Sequence, residues 1–124
     1  MKRDMDLLRK LLLAVEESPK AALQRMPAFE GFTEDIIAEH TRLAFDAGLL
    51  EGASLKLLKG PPQFANISLT WSGHEFLEKT RDPEIWEKTK TAAGKVGSFS
   101  LPLIMEVAAG YMKAKAAALG IPIL

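Results

Sequence analysis

His40 and His74 are the side chains of this sequence with the widest chemical reach, and each has a carboxylate beside it, Glu39 and Glu75. A neutral imidazole can ligate a metal or carry a proton near neutral pH. A metal site would have to join the two histidines through Glu39 or Glu75, because no His-x-x-x-His pair occurs. Ser72 stands two residues before His74, but Ser72-Gly73-His74-Glu75 has the spacing of a capping box, which predicts a helix start at Ser72 rather than a nucleophile. Neither Gly-x-Ser-x-Gly nor Gly-x-x-x-x-Gly-Lys is present, and there are no cysteines, which removes disulfides, thiol catalysis and thiolate metal sites. His40 falls among Ile36, Ile37, Leu43, Ala44 and Ala47, the setting of a hydrogen-bonded core histidine. The expectation is a chain that is not an enzyme, with no cofactor, no metal and no small-molecule substrate.

If chemistry is absent, binding is left, and the elements decide what is presented. The chain has 124 residues, 48% hydrophobic and 26% charged, enough for a core without staples. Lys and Arg number 16, as do Asp and Glu, so the basic excess of a dedicated nucleic-acid binder is missing. Asp4, Asp6, Arg9 and Lys10 interrupt any signal-peptide core, and the apolar run Leu101 to Met112 is too short to span a bilayer and carries Glu106. A cytoplasmic, non-membrane protein is expected.

Met5, Leu8, Leu11, Leu12 and Val15 recur at helical spacing and predict a helix from Asp4 to Glu17, ended by Ser18-Pro19. Lys20 to Gly31 is ambiguous, with a short helix or a short strand near Leu23 to Met26. Thr33 has the type of an N-cap, and Glu34 and Asp35 suit the first turn of a helix running to about Ala47 and stopped by Gly48. Leu55 and Leu57, then Ile67 and Leu69, alternate with polar neighbours on either side of Lys59-Gly60-Pro61-Pro62, which predicts a β-hairpin. Asp82-Pro83-Glu84 starts a further helix ending near Gly94 to Gly97, and a last helix runs from about Leu101 to Leu119.

Helix, helix, hairpin, capped helix is the element order of a winged helix-turn-helix. The expected class is therefore mainly α with a small β-hairpin (α+β): a winged-helix-like domain over residues 1–81, followed by a helical extension over 82–124. The residues resemble a known family as well. Met1-Lys2-Arg3-Asp4-Met5-Asp6-Leu7-Leu8-Arg9-Lys10 is similar to the opening of the domain-of-unknown-function family 2513, an uncharacterised bacterial and phage family. So are Ile37-Ala38-Glu39-His40 with Ala47-Gly48-Leu49-Leu50, Leu69-Thr70-Trp71-Ser72-Gly73-His74-Glu75-Phe76-Leu77, and Arg81-Asp82 with Ile85-Trp86. The resemblance implies a winged-helix-like fold and an association with phages or mobile elements. It implies no activity.

The helix over residues 33–47 takes the place of a DNA-recognition helix, yet Arg42 is its only strong base against Glu34, Asp35, Glu39 and Asp46, a net charge of −3. Phosphates are repelled by such a face. Phe45 lies opposite His40 with Thr41 and Arg42 near it, so Phe45, Thr41 and Arg42 form an expected protein-interaction patch unless the C-terminal helices cover Phe45. A DNA contact would use Arg42, Lys56 and Lys59. Residues 85–124 carry Lys88, Lys90, Lys95, Lys113 and Lys115 against Glu87 and Glu106, a net charge of +3. Their apolar stripe predicts a homodimer through Ile104, Val107, Tyr111 and Leu124. The leading expectation is a non-enzymatic interaction protein that binds a host or regulatory protein; the alternative is a small DNA-binding transcriptional regulator.

Overall fold

A computed structural model describes residues 1–122. The chain is α+β: the described residues form five helices and one two-stranded antiparallel hairpin, in the order α1 (Met5–Glu16), α2 (Glu34–Asp46), β1 (Leu50–Leu55), β2 (Gln63–Leu69), α3 (Trp71–Thr80), α4 (Pro83–Val96) and α5 (Leu101–Ala118). It divides into two compact units, Met1–Leu77 and Glu78–Leu124. No helix among the described residues is long and apolar enough to cross a membrane.

In the first unit, α1 starts where Asp4 accepts a hydrogen bond from the Leu7 backbone N–H, and α2 starts where Thr33 accepts one from Ile36. Both caps satisfy donors that the first turn leaves orphaned. The core gathers Leu7, Leu8, Leu11, Leu12 and Val15 of α1 with Ile37 and Ala44 of α2, Leu49, Leu50 and Ile67 around the hairpin, and Phe76 and Leu77 of α3. Helix α1 packs on α2 and on β2.

The hairpin begins earlier than the period-two pattern suggests. Leu50 already pairs with Leu69, Leu55 pairs with Gln63, and Leu57 lies beyond the strand. Its register slips between Glu51 and Ala53, with the extra residue on β2. Asn66 there adopts φ 52°, and a Cβ on Gly52 (φ 151°) would collide with the Asn66 and Ala65 carbonyl oxygens. A bulge of this kind increases local twist. Next to it Ile67 is fully buried and exchanges both backbone hydrogen bonds with Leu23, at 2.7 and 2.8 Å. The ambiguous segment therefore supplies a one-residue bridge to β2 rather than a helix.

The start of α3 differs from the capping-box expectation. The helix begins at Trp71, and Thr70 caps it: its hydroxyl accepts from the Gly73 N–H at 3.0 Å and donates to the Gly48 carbonyl. The Thr70 N–H also donates to the Leu49 carbonyl at 3.1 Å. Thr70 wins over Ser72 because it stands where β2 ends and can tie the helix start back to the end of α2. Gly73 is required at this corner for space, since a Cβ would run into the Leu49 carbonyl oxygen.

In the second unit, Asp82 caps α4 by accepting from Glu84 and Ile85, with Pro83 in the first turn, and Gly97 closes the helix at φ 84°. Helices α4 and α5 pack on each other. Ile85, Trp86 and Ala93 of α4 and Ile104 and Ala108 of α5 are buried.

Candidate functional site

His40 is fully buried on α2. Its Nδ1 lies 2.8 Å from the Ile36 carbonyl, and its Nε2 accepts the Asp4 backbone N–H at 2.8 Å. The neutral tautomer with the proton on Nδ1 satisfies both bonds, so neither nitrogen is left for a metal or a substrate proton. The arrangement completes the cap of α1. Asp4 accepts from Leu7, but Leu7 sits where a capping box would hold a glutamate that reaches back to the cap N–H. His40 supplies that acceptor from another helix. His74 is exposed on the first turn of α3. Glu39, one of the two carboxylates that could have linked the histidines, is held by Arg42. No group of three or more His, Asp or Glu residues able to hold a metal forms among the described residues.

Of the expected binding residues, Arg42 and Phe45 lie on the part of α2 beside the hairpin. Arg42 is clamped along its own helix: Nε donates to Glu39 Oε1 at 3.0 Å, Nη2 donates to the same oxygen, and Nη1 donates to Asp46 Oδ2 at 2.6 Å. These are neighbours at i−3 and i+4. The Arg42 hydrogen bond holds the Glu39 carboxyl below the ordinary glutamate range, and Glu39 in turn raises the guanidinium. The only strong base of α2 is thus neutralised in place, and the helix face stays acidic.

Phe45 stacks on Phe64 of β2, ring centroids 4.8 Å apart and tilted by 47°. The hairpin covers one side of Phe45 and leaves it half-buried. Thr41 must be removed from the surface patch. It is 1% exposed and donates to the Ile37 carbonyl at 2.8 Å, because it falls on the side of α2 that faces the core. Lys56 and Lys59 are exposed in the loop between the strands.

Beside the Phe45–Phe64 pair lies a groove of about 180 Å³, lined by Met26, Ile37, Ala38, Thr41, Pro61, Pro62, Gln63 and Phe64, with Arg25 and Glu34 among its walls. Phe64, Met26 and Arg25 were not legible as site residues. The Pro61-Pro62 turn and the alternation of the hairpin locate the element, but not that its edge faces α2. In the second unit, Ile104 must be removed from the expected dimer stripe. It is fully buried, while Val107 and Tyr111 on the same side of α5 are half-buried. Leu124 lies outside the described residues.

The family described as Hypothetical protein (DUF2513) matches residues 2–100. The chain belongs to this DUF2513 family. The match takes in all of the first unit but Met1 and runs through α4 to the residue before α5, so the α2–hairpin face lies within it. A relative from Haemophilus influenzae (strain ATCC 51907 / DSM 11121 / KW20 / Rd), described as an uncharacterized protein, is 36% identical over 110 residues, 87% of this chain and 92% of its own. No solved structure matches the chain.

Proposed function

We propose that the chain is a non-enzymatic, winged-helix-like interaction module that binds a host or regulatory protein through the α2–hairpin face, in phage or mobile-element biology. The observation that carries this reading is the state of Arg42. With both of its neighbouring acids bonded to it, α2 presents Glu34, Asp35, Glu39 and Asp46 without an available cation, and such a face loses rather than gains from approaching phosphates. A protein partner has no such penalty, and the groove beside Phe64 offers it a mixed lining, with apolar side chains such as Met26, Pro61 and Phe64 beside one charge of each sign. Trp71 and Leu58 add large exposed apolar surface on the same unit. The winged-helix part of the reading is supported by the Leu23 bridge, which adds a third short strand position to the hairpin, as that fold has between its helices.

The alternative, a DNA-binding regulator, draws on the two exposed lysines of the hairpin loop, Lys56 and Lys59. Ala38→Arg, which fills the groove from a half-buried position, separates the two. Under the protein reading, the wild-type chain captures a discrete partner from its own host lysate, the variant loses it, and the circular dichroism melt is unchanged. Steeply salt-dependent binding of random duplex at low salt, together with the same proteins captured by both forms, would overturn it in favour of the regulator.

A further inference from the structure

Helix α5 is apolar around most of its circumference, yet only Ile104 and Ala108 are fully buried. At 100° per residue, Pro102, Glu106, Ala109, Gly110, Lys113 and Ala117 share the side opposite those two. All are exposed except Ala109, which is half-buried. Glu106 and Lys113 are the only charges on that side, and neither has an ion-pair partner among the described residues. Gly110 sits in the middle of the helix, and a Cβ there would meet nothing within 4 Å. Glycine is the poorest helix former after proline, and no neighbour in the described chain accounts for its presence.

We propose that this face is a self-complementary interface on which a second copy of the chain lays its own α5 antiparallel. A two-fold axis between Ala109 and Gly110 pairs each residue with the one equally far on the other side of that point. Glu106 then meets Lys113 of the second copy, Pro102 meets Ala117, and Ala109 meets Gly110. Each pairing occurs twice, as an isologous interface demands. The small residues stand where the two backbones cross and allow close approach. The opposite charges stand about 10 Å apart along each helix, one on either side of the crossing, given a rise of about 1.5 Å per residue. Charge complementarity selects a second copy as the occupant, because the pattern reads as its own partner when reversed. The surface is a single helix face, smaller than the interfaces of stable dimers, so the association is weak and salt-sensitive.

Sedimentation velocity of the full chain, from roughly 10 to 500 µM at low salt, should show a monomer–dimer equilibrium. Glu106→Lys alone and Lys113→Glu alone each place like charges opposite one another and should weaken it about tenfold or more. The double reversal should restore it, and the two single variants mixed should form a heterodimer tighter than either homodimer. Gly110→Leu should abolish association while the helix signal in circular dichroism is kept. A monomer throughout the range would overturn the proposal. So would a dimer indifferent to the charge reversals, or one that the double reversal fails to restore.

Discussion

At the level of single residues, one of the two histidines is used for architecture. His40 lies at a distance of 36 positions in sequence from Asp4, whose N–H it accepts, and its other nitrogen stays within its own helix. The bond ties the start of α1 to the middle of α2. Replacing His40 with leucine puts an apolar side chain of similar size in its place and strands the Asp4 donor in a half-buried position. The expected cost is about 1–3 kcal/mol, seen as a lower urea midpoint with an unchanged denaturant slope. A glutamine, which can still accept, should recover part of the loss. If leucine is neutral, the cap does not depend on this bond. Local chemistry made part of this legible: the apolar neighbours of His40 indicate burial. The partner was not legible, because nothing in the spacing of residues 4 and 40 says that they meet. Phe45 shows the same limit. Its position off the core stripe can be read along α2, but its contact with Phe64 depends on the fold of the hairpin.

At the level of elements, caps with local partners were readable and caps with remote partners were not. Thr33 and Asp82 begin their helices where their residue types place them, because each bonds to N–H groups two or three positions ahead. The capping-box spacing puts the start of α3 at Ser72, whereas the cap is Thr70, which also answers to Gly48, 22 residues away. The hairpin was located by its turn, but its register depends on the bulge at Gly52 and Asn66. Asp82 has a further partner, Lys115 of α5, which donates to its second carboxylate oxygen. That hydrogen bond, and then the backbone donors of Ile85 and Glu84, hold the Asp82 carboxyl below the ordinary aspartate range, and the same bond raises Lys115. A depressed carboxyl contributes stability that is present above its unfolded value and lost as the pH falls through its folded one. A raised lysine contributes below its unfolded value and loses it as the pH rises through the folded one. The pair is therefore complete across the neutral range. Asp82→Asn keeps a capping acceptor and removes the charge. Its melting temperature should fall less steeply than that of the wild type between about pH 5 and pH 2. Parallel acid limbs would mean that this exposed pair adds nothing measurable, as many surface pairs do.

At the level of the whole molecule, the equality of 16 basic and 16 acidic residues conceals a division. The acids concentrate on α2, and the balance toward the C-terminus is basic. If the acidic face is what keeps α2 from nucleic acid, then removing its acids should create affinity where there was little. Glu39→Gln with Asp46→Asn changes the net charge of residues 33–47 from −3 to −1 and releases the Arg42 guanidinium from both of its charged partners. One additional phosphate contact would steepen the dependence of log affinity on log salt by about 0.9. Random duplex titrated at several salt concentrations should therefore bind the variant more tightly than the wild type at the lowest salt, and the two curves should converge as salt is raised. The comparison depends on the difference between two proteins of the same fold, so binding by the hairpin lysines cancels from it. If both proteins bind duplex with the same affinity and the same slope, the charge of α2 is not what decides the partner, and Lys56 and Lys59 become the residues to remove next.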